Sequence, residues 1–145
     1  MLIDTNALLR FLQTNDKARP VVLRAVSHLQ LAGEDIVIVP QNLYEFWVVA
    51  TRPTRVNGFG WTAAECETRI AQLKQVFDLL PDPPGLYDTW QQLVIAHDCK
   101  GKVAHDTRLV AAMQLHGINR ILTFNSADFA RFPMISVVAP ASVAP

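Results

Sequence analysis

Hydrophobic positions along this chain recur with two different periods, and the switch between periods marks out its elements. Short apolar runs rich in valine, isoleucine and leucine predict strands over Met1–Asp4, Asp35–Val39, Val76–Leu80, Arg120–Phe124 and Ser136–Ala139. "DIVIV" (35–39) is an apolar, largely β-branched run stopped by Pro40, as expected of a strand buried on both faces. "RILTF" (120–124) is similar and follows Gly117, a natural helix stop. Between these runs, apolar residues spaced by three and four predict helices over Ala7–Gln13, Pro20–Ala32, Leu43–Thr51, Ala63–Gln75, Leu86–His97 and Thr107–His116. Strand and helix alternate, which predicts an α/β fold with a parallel sheet covered on both faces. "RPTRVNGFGWT" reads as an exposed loop, "PDPPG" as a break, and the tail from about residue 140 as loose.

Composition narrows the picture. The chain has 145 residues, half of them hydrophobic, which suits one domain around one core. No apolar run approaches the roughly 20 residues of a membrane span, so a soluble, cytoplasmic protein is expected. Its 13 basic and 13 acidic side chains cancel, so nucleic-acid binding needs a local basic patch or bound cations. Cys66 and Cys99 stand outside any CxxC pattern and read as reduced, partly buried thiols. The four histidines show no HxH or HExxH spacing, which argues against zinc.

Carboxylates change the picture more. Asp4 ends the first predicted strand, where ligands of open parallel sheets bind, although capping the helix "TNALLRFL" explains it as well. Glu45 lies in "VPQNLYEFWVVA", in a helix so apolar that it should be largely buried. There its carboxylate needs a partner, and a capping box begun by Asn42 is one explanation. Asp106 falls at the first turn of the last predicted helix, Thr107–His116, favoured there by the helix dipole whatever its function. His105 beside it is a second candidate, although such histidines usually bond locally. Asp128 follows "RILTF" among the turn formers Asn125 and Ser126. Each acid has an ordinary explanation alone. Together the four fall on one sheet edge, where they would repel one another unless a hard divalent cation with oxygen ligands neutralises them.

"LIDTN", "NLYEFW", "HDTRLVAAM" and "ILTFNSADF", in that order and spacing, resemble the PIN domain, and more closely the VapC-type toxins of prokaryotic toxin–antitoxin pairs. The resemblance spans essentially the whole chain. It implies a three-layer α/β/α sandwich around a parallel sheet, Mg²⁺- or Mn²⁺-dependent endoribonuclease activity, and inhibition by a cognate VapB-like antitoxin. Matched by motif, Asp4, Glu45 and Asp106 are the family's first three acids, with Asp4 and Asp106 the main metal ligands. Thr5 and Asn6 match its supporting polar residues. The fourth position falls on Asn125 in some PIN domains and on Asp128 by the "TFNSADF" pattern. The expected reaction is hydrolysis of an RNA phosphodiester by metal-activated water.

Arg10, Arg52, Arg108 and Arg131 each follow one of the acids and are candidates for an RNA-binding rim, though solvated helix-face arginines look the same. The apolar "EFWVVA" helix and "VNGFGW" loop suggest a homodimer or antitoxin surface, with burial in the core as the alternative. An inert PIN scaffold that binds RNA or protein is a rival reading, which the intact acids oppose. A haloacid-dehalogenase-type phosphatase would want an acid two residues after Asp4, where Asn6 stands. A receiver domain would want an adjacent acid pair at the first strand, which is missing.

Overall fold

The five apolar runs become five short strands in a computed structural model, which describes residues 1–143. They are β1 (Leu2–Ile3), β2 (Val37–Ile38), β3 (Asp78–Leu79), β4 (Arg120–Leu122) and β5 (Ser136–Val138). All pair in parallel in the order β3-β2-β1-β4-β5. The chain steps outward from β1 through β2 to β3, then returns to the other side of β1 for β4 and β5. The strand order therefore reverses between β1 and β4, where ligands of such sheets bind.

Helices cover both faces, because alternate strand residues point to opposite sides. Ile3, Ile38 and Leu122 pack under α1 (Thr5–Leu12), α2 (Arg19–Leu31), α3 (Pro40–Thr51) and α4 (Ala63–Val76). Leu2, Val37 and Ile121 pack under α5 (Leu86–Ala96), α6 (Val103–Leu115) and the short α7 (Ser126–Phe129). This is the three-layer α/β/α arrangement expected. No described helix is long and apolar enough to cross a membrane. Cys66 is buried, Cys99 half-buried, and both thiols are free.

Four expectations need correction. The end of the chain is not loose through residue 143, since Pro140–Val143 form a short helix, α8, packed against α2, with Val143 on the core. The rest of that tail, residues 144–145, lies outside the described residues. Helix α3 is not largely buried: Phe46 and Ala50 face the core, while Tyr44 is 63% and Val48 59% exposed. It also starts at Pro40, so Asn42 is no N-cap for Glu45. Instead Asn42 Oδ1 accepts from the Val39 N–H at 2.9 Å. The "VNGFGW" loop divides. Val56 is exposed, whereas Phe59 and Trp61 are half-buried against the core. This loop is folded back on α3 by N–H bonds from Phe59 to Val49 O and from Trp61 to Ala50 O. Gly58 permits that return, because a Cβ there would stand 1.8 Å from the Arg52 carbonyl oxygen.

Candidate active site

Asp4 follows β1 immediately and is the first residue outside α1, but its side chain makes no capping bond. The bond it makes crosses the sheet instead. Thr123, the residue after β4, donates its hydroxyl to Asp4 Oδ2 at 2.6 Å, spanning the point where the strand order reverses. Asn6 Nδ2 donates to the same oxygen at 2.6 Å and to Thr123 Oγ1 at 2.9 Å. The Asn6 side chain is itself anchored by the Phe124 N–H on its Oδ1 at 3.1 Å. Asp4 is 7% exposed and Thr123 fully buried. One carboxylate oxygen is thus held rigidly by the segment following β4.

Glu45 projects from the second turn of α3 and is oriented from two sides. Thr5 donates its hydroxyl to Oε2 and Gln41 its amide to Oε1, both at 2.8 Å. Gln41 also donates to the His105 carbonyl at 2.9 Å, which ties the start of α3 to the start of α6. Asp106 sits in the first turn of α6, which begins a turn earlier than its apolar spacing predicts, at Val103. Asp128 lies in α7 and accepts from Asn125 Nδ2. All four acids, with Thr5, Asn6 and Asn125, line one crevice of about 850 Å³.

The electrostatics of this crevice are unbalanced. Among the described residues, none of the four acids is in an ion pair. Burial pushes the Asp4 carboxyl up to about 6, only partly opposed by the Thr123 hydroxyl and the Thr5 backbone, and the charges of Glu45 and Asp106 add to the rise. Asp106 is also raised, first by burial and then by the neighbouring Asp128 charge, with Lys102 opposing. Hard carboxylate oxygens crowded in a partly desolvated crevice are the donor set of Mg²⁺ or Mn²⁺. No three His, Cys, Asp or Glu side chains among the described residues stand close enough to enclose an ion.

Of the four candidate arginines, only Arg108 lines the crevice, where its Nη1 donates to Gln41 at 3.1 Å and its Nη2 pairs with Asp82 at 2.8 Å. Arg10 stands over the Phe124 ring at 4.6 Å and donates to Asn6 O. Arg52 closes the far end of α3, donating to Asn57 O, and Arg131 is exposed beyond α7. His105, Lys102 and Tyr44 also line the crevice. Lys102, Gln41 and Thr123 escape a reading of the sequence. The one available signal was Thr123, a polar residue directly after the buried apolar pair Ile121 and Leu122.

The family model described as the PIN domain matches residues 1–133. Solved structures with similar folds include the VapBC2 complex from Rickettsia felis bound to a DNA fragment from its promoter. There the identity is 12%, the match covers 95% of this chain and 96% of that one, and the TM-score is 0.70. A toxin–antitoxin complex from Klebsiella pneumoniae is 22% identical, with 96% of each chain covered and a TM-score of 0.66. The sarcin–ricin loop cleaving toxin VapC20 from Mycobacterium tuberculosis is 16% identical, with 90% of this chain and 94% of that one covered and a TM-score of 0.65. Among curated proteins, none matches.

Proposed function

Since the chain belongs to the PIN domain family, we propose that it is a divalent-metal-dependent endoribonuclease, the toxin of a toxin–antitoxin pair. The observation that carries this reading is the crevice of four acids, none of them in an ion pair among the described residues, opening beside the switch point of the sheet. Asp4 and Asp106 would hold a Mg²⁺ or Mn²⁺ ion. When bound, such an ion neutralises the crevice, stabilises charge on a phosphate and lowers the pKa of water toward neutrality. The protein's own residues do the rest. Thr123 and Asn6 hold Asp4 Oδ2 in one orientation, so that carboxylate needs no reorganisation to bind. Thr5 and Gln41 fix Glu45 facing the same space, where it can accept a proton from an attacking water. Lys102 and Arg108 supply the positive charge at the crevice that RNA phosphates need.

Incubation with total RNA tests the proposal. Mg²⁺ should produce a cleavage ladder and a chelator should abolish it. RNA left intact in both Mg²⁺ and Mn²⁺ would overturn the nuclease reading in favour of an inert binder.

Asp128 takes the fourth acidic position in this proposal, with Asn125 bonded to it in support. A carboxylate next to Asp106 supplies charge that an amide cannot. Asp128→Ala should therefore slow cleavage and raise the Mg²⁺ concentration required, while Asn125→Ala has the smaller effect. Rates measured against Mg²⁺ for both variants check this, and the reverse order would move the fourth position to Asn125.

The exposed apolar face of α3 is proposed to meet the antitoxin. Tyr44 and Val48 line the crevice and leave apolar surface in water beside the acids. Val48→Lys should weaken capture of the small DNA-binding protein encoded by a neighbouring frame by about tenfold or more, with the melting temperature unchanged. Unaltered capture would remove this face from the interface. Light scattering of the purified protein tests the proposed homodimer.

A further inference from the structure

A second cavity, of about 700 Å³, adjoins the carboxylate crevice across the first turn of α6. Its walls include Tyr87 and Trp90 of α5, Asp82 stands at its rim, and His105 and Arg108 line both spaces. We propose that this cavity is a nucleobase subsite, receiving an unpaired base of an RNA strand whose phosphates run past Arg108 and Lys102 into the crevice, a reading that rests on the ribonuclease function proposed above.

Three observations point to a base. The first is a pair of aromatic rings at the cavity. The Trp90 indole is pinned by its Nε1 donating to the Ala104 carbonyl at 2.7 Å. Tyr87 stands with its ring centroid 5.6 Å from that of Trp90, the planes inclined by 41°, and it is 64% exposed. The exposed Tyr87 ring, backed by the half-buried Trp90, forms a stacking platform, and every nucleobase has a face to offer it. The second is charge. Asp82 and Arg108 pair at 2.8 Å, so their charges largely cancel at the cavity, which suits a neutral base, while Lys102 lines the neighbouring crevice and attracts the backbone. The third is continuity. Arg108 is fixed between Asp82 and Gln41, and Gln41 in turn holds Glu45, so the two spaces share one braced wall.

The test uses the full chain with Ca²⁺ in place of Mg²⁺ and single-stranded RNA oligonucleotides carrying the fluorescent base 2-aminopurine at successive positions. One position should be strongly quenched on binding. Tyr87→Ala should lose that quenching and bind about tenfold more weakly, and Tyr87→Phe should retain both. Making that position abasic should cost the native protein a similar factor and cost Tyr87→Ala little more. If native protein cleaves RNA in Mg²⁺ but quenching is flat along the strand, the subsite is overturned and the nuclease reading stands. If native protein neither binds nor cleaves RNA, both fall. If Tyr87→Ala changes the oligomeric mass with RNA binding unaltered, the cavity belongs to a protein contact and the subsite is again overturned.

Discussion

Asp4→Asn is expected to reduce RNA cleavage by more than about a hundredfold with its circular dichroism unchanged, and Asp106→Asn to do likewise. Loss of a residue that merely orients a metal ligand costs about 10–100-fold in affinity or activity, and loss of the ligand itself should exceed that. At Asp4 the fold should tolerate the change. An asparagine Oδ1 can still accept from the Thr123 hydroxyl and from Asn6 Nδ2, the two donors that now converge on Asp4 Oδ2. What is removed is the charge. Cleavage of a defined RNA by purified native protein and variants at saturating Mg²⁺ is the measurement, and native-like rates from either variant would remove that residue from the metal site.

The same inactive Asp4→Asn protein should be the more stable one without metal. In the folded state the Asp4 carboxyl titrates near 6 instead of its ordinary 3.8. Between those values the folded protein retains a proton that the unfolded chain has released. Asp4 therefore lowers stability progressively as pH rises from about 4 to about 6, and the full penalty persists above that. The gap corresponds to about 3 kcal/mol at most, or roughly 5–10 °C in melting temperature for a chain of this size. At pH 7 in a chelator, Asp4→Asn should melt higher than native protein, and near pH 4 the two should converge. Mg²⁺ at pH 7 should then raise the native melting temperature more than that of the variant, because only the native crevice has the charge to reward an ion. Asp106 is shifted in the same direction, so Asp106→Asn should behave alike. A variant that melts below native protein at pH 7, or a difference that widens on acidification, would show that the buried Asp4 charge carries no such penalty.

Much of this site was legible because its signals are local. Asp4 and Asp128 each sit just past a strand, where its period gives way to a helix or turn, and Asp106 sits where a helical period begins. A period is set by the geometry of a few consecutive residues and needs no knowledge of neighbours. The alternation of strands and helices led by the same route to a parallel sheet with two helical layers. Glu45 was harder. Asn42 three residues before it offered a capping box, which is also local, whereas the partner that orients it, Thr5, is 40 residues away. Thr123 and Asp4 are 119 residues apart and meet only because β4 returns beside β1. A single threonine after a strand announces no such partner.

Exposure was the least legible property. The apolar face of α3 and the aromatic loop after it look alike as sequence, yet Val48 stands in solvent while Phe59 and Trp61 fold back onto the core. Hydrophobicity states what a residue would gain from burial, but whether it is buried depends on what another element places over it. The sequence by itself thus determined the element order, the sheet and the strand-end acids, since each follows from backbone geometry within a few residues. Which donors orient those acids, which cations line their crevice and which apolar faces stay open were decided only by the tertiary structure, because they depend on contacts between segments whose separation along the chain carries no periodic signal.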